Sequence, residues 1–159
     1  MVEDGVTFTD NALIKARSAR EATGESVVAD DSGIEVDALD GAPGVHSARY
    51  AGDEASDQDN VDKLLAALAD RPDPAARTAR FRCVLVLQHP DGRELVVDGT
   101  VEGHVAAAPR GPGGFGYDPV FVPTEGDGRT FGEMDPAEKH ALSHRGRALA
   151  ALLAALDPA

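Results

Sequence analysis

The sequence predicts an α/β layered domain with a mixed sheet. Three observations carry this. Helical and strand-like patterns interleave along the chain, the length of 159 residues suits one domain, and a 42% hydrophobic content suffices for a core. With no Trp and few aromatics, that core must rest on Leu, Val, Ile and Ala. The chain carries 28 acidic against 15 basic residues, a formal net charge of −13. Such a surface repels nucleic acid and anionic lipid, which argues against a polymer-binding role. It also disfavours a small polyanionic substrate unless the site is locally basic or carries a metal.

Thr7-Phe8-Thr9-Asp10 has the spacing of a capping box, with Asp where Glu or Gln is usual. It predicts a helix from Asn11 to about Thr23, stopped by Gly24. Ser26 to Ala29 reads as a short buried strand that turns at Asp30-Asp31-Ser32-Gly33, and Ile34 to Ala38 as a second strand. Gly41 to Gly52 is a glycine-punctuated loop. Ser56 caps a helix to about Ala69, with Val61, Leu64, Leu65 and Leu68 as its apolar stripe. Thr78 to Gln88, Asp91-Gly92 and Glu94 to Asp98 form a β-hairpin with a favoured turn dipeptide. Thr100 to Ala106 extends the sheet, and a loop from Ala108 to Pro119 leads into Val120-Phe121-Val122. Asp135-Pro136 opens a C-terminal helical region with Leu149, Leu152, Leu153 and Leu156 on one side.

Cys83 is the single cysteine, so there is no intrachain disulfide, and its apolar surroundings predict a packed strand residue. Met1 to Gly5 shows no basic and then apolar leader pattern. The longest apolar stretch, Ala148 to Leu156, is far too short to span a membrane. The expectation is a cytoplasmic protein. No repeat, Walker pattern or dinucleotide fingerprint is readable.

Four constellations could carry chemistry. Asp30 and Asp31, followed by Ser32 and Gly33, make a plausible hard-cation site, because Mg²⁺ is commonly held by one or two carboxylates plus substrate phosphates. The glycine-dense run Gly113 to Pro119 holds Phe115 and Tyr117, on which a flat base could stack. From Glu138 to Arg147, Lys139, His140, His144, Arg145 and Arg147 concentrate positive charge that a phosphate substrate needs. His140 and His144 have zinc-site spacing, but the third ligand and catalytic Glu of a zincin pattern are absent. Lys15 and Arg17 on the first helix are candidate cleft cations. Each has a plainer alternative: a polar turn, core-plugging aromatics, a solvated helix face, ordinary exposed cations.

Order and wording together say more. Thr7-Phe8-Thr9-Asp10-Asn11-Ala12 with Lys15-Ala16-Arg17, Ala29-Asp30-Asp31-Ser32-Gly33, and Gly41-Ala42-Pro43-Gly44-Val45 with Ser47-Ala48-Arg49-Tyr50 closely resemble the inosine triphosphate pyrophosphatase (Ham1) family. Gly114 to Phe121 and Ser143-His144-Arg145-Gly146 complete the pattern, and the resemblance covers essentially the whole chain. It implies an elongated, two-lobed α/β fold with a curled mixed sheet flanked by helices, in a single domain over residues 1–159. It implies a homodimer and Mg²⁺-dependent hydrolysis of ITP, dITP and XTP to monophosphate and pyrophosphate. By the same resemblance Asp31 is the proton acceptor and a metal ligand, with Asp30 and Asp10 as metal support. Ser32 and Lys15 contact substrate, the loop Phe115-Gly116-Tyr117-Asp118 stacks on and encloses the base, and Lys139, His144 and Arg145 complete recognition. The purine 6-keto oxygen would accept from donors near His144 and Arg145.

Two departures accompany the resemblance. Asp10 stands where the family usually has Glu, with a reach one methylene shorter. The family's opening strand and its Ser/Thr-x-Asn-x-x-Lys phosphate loop have no counterpart here, roughly 30–40 residues or one strand–helix unit. Two alternatives stay open: a Maf-type nucleotide pyrophosphatase, and a nucleotide- or metal-binding remnant without turnover.

Overall fold

A computed structural model describes residues 4–157, so Met1 to Glu3, read above for a leader, lie outside the described residues. The chain runs α1 (Phe8–Thr23), β1 (Val27–Val36), α2 (Asp57–Ala67), β2 (Thr78–Gln88), β3 (Glu94–Val105), β4 (Phe121–Pro123), α3 (Pro136–Leu142) and α4 (His144–Leu156), with short 3₁₀ turns between. The α/β layering is as expected. Every ladder among the described residues is antiparallel, however, and not mixed, and the sheet order β1-β2-β3-β4 follows chain order.

The local signals mark the helix ends. Thr7 accepts a hydrogen bond from the Asp10 amide and starts α1 three residues before the predicted Asn11, and Gly24 ends it at φ 70°. Ser56 and Asp59 form a reciprocal capping box on α2. Between β2 and β3 the chain reverses over His89–Arg93, with Gly92 at φ 92°. The segment from Thr100 onward is the second half of β3 itself, with no break after Asp98.

Three expectations are corrected. Asp30-Asp31-Ser32-Gly33 is no turn: β1 is one strand, and these residues pair in register with Leu85, Val84, Cys83 and Arg82. The unbroken β2 gives their backbone groups ladder partners throughout, so a polar stretch stays extended. The C-terminal helical region breaks at Ser143, which ends α3 and caps α4. Of the four leucines assigned to one α4 face, Leu152 alone is buried, beside Ala148, while Leu149, Leu153 and Leu156 are exposed.

Alternation along the strands divides the core. On one face, Ile34, Phe81 and Val101 pack on Val61, Leu64 and Leu68 near α2, with Phe121 and Phe131. Further along that face, Cys83, Leu85 and Leu87 carry α4 through Ala148 and Leu152. On the opposite face Val84 and Val86 carry α1 through Phe8, Ala12 and Ala16. Cys83 is thus a fully buried strand residue, as expected. Among the described residues no helix is long and apolar enough to cross a membrane.

Candidate active site

The site gathers at β1 and at the seam where the α2 and α4 packing zones meet. Because β1 is extended through Asp30–Gly33, successive side chains leave opposite faces. Asp31, opposite Val84, faces α1, and the Lys15 ammonium bonds its Oδ1 at 3.1 Å and the Asp30 carbonyl at 3.0 Å. Asp30, opposite Leu85, faces α4, where Arg145 Nη2 lies 3.0 Å from its Oδ2. Ser32 shares that face and donates to Asp30 Oδ2 at 3.4 Å. The two carboxylates read as one cation site therefore point apart.

Asp10 sits in the first turn of α1, its amide bonded to Thr7. Among the described residues no three His, Cys, Asp or Glu side chains converge in a metal-holding group, so Asp10, Asp30 and Asp31 do not form a preassembled cage. The donor chemistry fits Mg²⁺ another way. Asp31 offers a largely buried carboxylate, the oxygen donor type that Mg²⁺ shares with substrate phosphates.

Across the seam stands the glycine loop, whose reversals need left-handed backbone at Gly114 (φ 72°) and Gly116 (φ 58°). Phe115 projects from it, 60% exposed, with Lys139 Nζ 4.3 Å and the Arg145 guanidinium 5.8 Å from its ring centroid. Asp118 is buried, accepts the Phe115 amide at 2.9 Å and pairs with Lys139 Nζ at 2.5 Å. Tyr117 is not an open stacking platform. Its ring is in the core at 5% exposure, and its hydroxyl, its pKa raised by burial, donates to the Ser47 carbonyl at 2.6 Å. Of the two aromatics, Phe115 has the accessible face.

His144 begins α4, 8% exposed and stacked on Phe81 at 4.7 Å between centroids. Burial, then the neighbouring Arg145 and Lys139 charges, push its pKa down to about 3, so the ring is neutral at physiological pH. Its Nδ1 has no hydrogen-bond partner among the described residues. Two adjoining cavities share Phe115, His144 and Arg145: one of 370 Å³ toward Met134 and Lys139, one of 200 Å³ toward Ser32, Asp57 and Asn60. A larger recess of 730 Å³ opens by the start of α1 and the Gly41–His46 loop, and none of the predicted site residues lines it.

Sequence reading missed three supports. Asp57 was read only as part of a helix start, yet its Oδ2 accepts the Gly116 amide at 2.9 Å. Ser47 accepts the Ile34 amide and donates to Gly44, which ties the Gly44–Arg49 turn to the edge of β1. Asn60 bridges Ala48 and Ala51. Ser47 lay inside a quoted motif, but Asp57 and Asn60 carried only an ordinary helix signal.

Comparison with known proteins shows the family and the fold. The Ham1 family model matches residues 1–155. The dITP/XTP pyrophosphatase of Vibrio parahaemolyticus is 52% identical over 159 residues, spanning 99% of this chain and 78% of that protein. A HAM1 protein structure from Coxiella burnetii superposes with a TM-score of 0.92 at 46% identity, covering 100% of this chain and 81% of the other. A nucleoside-triphosphatase / dITP/XTP pyrophosphatase structure from Mycobacterium abscessus does so at 0.82 and 52%, covering 98% and 79%.

Proposed function

This chain belongs to the Ham1 family, and from that premise we propose that it hydrolyses the non-standard purine triphosphates ITP, dITP and XTP to monophosphate and pyrophosphate, clearing them from the nucleotide pool. The observation that carries the reading is the seam itself. Phe115, Lys139, His144 and Arg145 border adjoining cavities, and Lys15 with Asp31 stands on the other side of the same strand.

A nucleotide lying across β1 puts its base on the α4 side and its phosphates on the α1 side. Phe115 supplies a face for the base, and Lys139 and Arg145 supply charge. Donors beside neutral His144 and Arg145 meet a 6-keto oxygen, whereas adenine's amino group would face a donor and leave it unpaired. Mg²⁺ held by Asp31 together with the phosphates would offset charge that the −13 chain otherwise repels. Asp31 orients a water and takes its proton as the oxygen bonds to the α-phosphorus. The bond from that phosphorus to the bridging oxygen breaks, and pyrophosphate leaves. Lys15 bonds the carboxylate and stands on the side where the phosphates would lie. Asp10, in the first turn of α1, would support the metal, and Asp30 at most through water, since its side chain leaves the opposite face of β1 from Asp31. The same reading makes the protein a cytoplasmic homodimer.

The test is pyrophosphate release from ITP, dITP, XTP, ATP and GTP, with Mg²⁺ and with a chelator. Rapid, Mg²⁺-dependent hydrolysis of the first three is expected. Equal rates for ITP and ATP, or a preference for a standard nucleotide, would sink the reading.

A further inference from the structure

The first turn of α4 carries both His144 and Arg145, and its seat on the sheet is unusually close. Ser32, Cys83 and Gly99 form one rung across β1, β2 and β3, all on the face that α4 covers. Ser32 and Cys83 carry small side chains and Gly99 carries none. At Gly99 the helix backbone itself lies on the strand. A Cβ there would overlap the His144 carbonyl oxygen and the Ala148 amide nitrogen and stand 2.9 Å from the Arg147 carbonyl carbon. These are backbone atoms, so no side-chain rotation relieves the clash. Arg147 Nη1 ties the same turn to the Thr100 carbonyl at 2.9 Å. From this low seat Arg145 reaches Asp30 on β1, with Nη2 3.0 Å from its Oδ2.

We propose that Gly99 is a positioning residue for the nucleotide site: by letting α4 settle onto β3, it sets where His144 and Arg145 meet the base. Gly99 touches neither cavity. It acts through α4, and the inference rests on the reading of His144 and Arg145 as base contacts.

The experiment is kcat/KM for ITP and for ATP, by pyrophosphate release, in the unmutated protein, Gly99→Ala, Arg147→Met and Gly103→Ala. A loss of folded protein lowers both substrates together and leaves their ratio unchanged. A displaced α4 lowers the ratio, because the base contacts are misplaced. Gly99→Ala should narrow the ITP-to-ATP ratio by about tenfold or more, a modest share of what an ångström of misplacement costs. Arg147→Met, which frees the same turn from Thr100, should narrow it less, in the same direction. Gly103 is an equally crowded glycine of β3, but a Cβ there meets Val122 and Phe121 of β4 and not the α4 backbone. Its alanine variant should leave the ratio intact.

An unchanged ratio in Gly99→Ala overturns the proposal, as does an equal narrowing in Gly103→Ala. If Gly99→Ala does not fold, Arg147→Met decides by the same criterion. Failure of the unmutated protein to prefer ITP is a different result and removes the functional reading beneath it.

Discussion

Asp30 and Asp31 are neighbours in sequence and stand on opposite faces of the sheet, Asp30 bonded to Arg145 of α4 and Asp31 to Lys15 of α1. The β-strand period of two assigns them different work. Asp31 meets Lys15, and Asp30 holds Arg145, which borders the two cavities beside Phe115.

Asp31→Asn should therefore lower kcat for ITP by about 10²–10⁴-fold, the range for a lost general base, with the fold intact. Asp30→Asn should keep a substantial kcat and weaken the preference for ITP, because it loosens Arg145. Steady-state kinetics with circular dichroism checks both. A near-normal rate in Asp31→Asn removes that residue from the mechanism.

For the base, ITP and XTP should be hydrolysed faster than ATP by roughly 10²-fold or more, as expected when a buried donor is left unpaired. Arg145→Ala should erode that ratio. Phe115→Ala should raise KM for every nucleotide, since stacking of a base on an aromatic ring contributes about 1–3 kcal/mol without regard to base identity. A change confined to one nucleotide would show that Phe115 reads and does not merely stack.

The Asp118–Lys139 pair holds the glycine loop against α3. Asp118 is buried and also accepts the Phe115 amide. Asp118→Ala leaves Lys139 and that amide without their acceptor, so urea unfolding should show a loss of about 3 kcal/mol, near the lower end for breaking a buried pair. A loss under 1 kcal/mol would mean the loop is held mainly by Asp57 and Tyr117.

His144 gives a pH dependence of definite sign. Its folded pKa, about 3, lies below the ordinary histidine value near 6.5, so between those values the unfolded chain binds more protons. Stability is full above about pH 6.5 and falls as pH drops toward 3, with a limiting slope of about 1.4 kcal/mol per pH unit. His144→Phe should flatten the profile relative to the unmutated protein between pH 7 and 4. Parallel profiles for the two would show that His144 protonates freely in the native state.

Much of this fold was legible because its signals are local. The Thr7 and Ser56 caps, the Gly24 stop and the Asp91-Gly92 reversal depend on residues within a few positions of one another. The errors have the opposite origin. Polar residues in mid-strand look like a turn until the partner strand is known, and Asp30–Gly33 stay extended only because β2 runs opposite them. Phe115 and Tyr117 could not be told apart, because the acceptor that draws Tyr117 inward, the Ser47 carbonyl, is 70 residues away. The α4 leucines misled for a related reason. The helix rests so low at Gly99 that the small Ala148 does the packing and larger neighbours face out. The family motifs marked Lys139, His144 and Arg145, and the structure brings them to one cavity.

Ser143 joins α3 to α4 with no residue to spare: its amide bonds the Lys139 carbonyl as α3 ends, and its hydroxyl accepts the Gly146 amide as α4 begins. Each residue of an α-helix turns the next by about 100°. A single insertion or deletion between Lys139 and Gly146 would therefore swing a different side chain into the place of His144. Changes of chain length should be tolerated instead at the exposed Thr124–Gly128 turn, where added residues loop into solvent. Across descendants of one gene, the two stretches should drift in length at very different rates, the joint holding its count while the turn grows and shrinks.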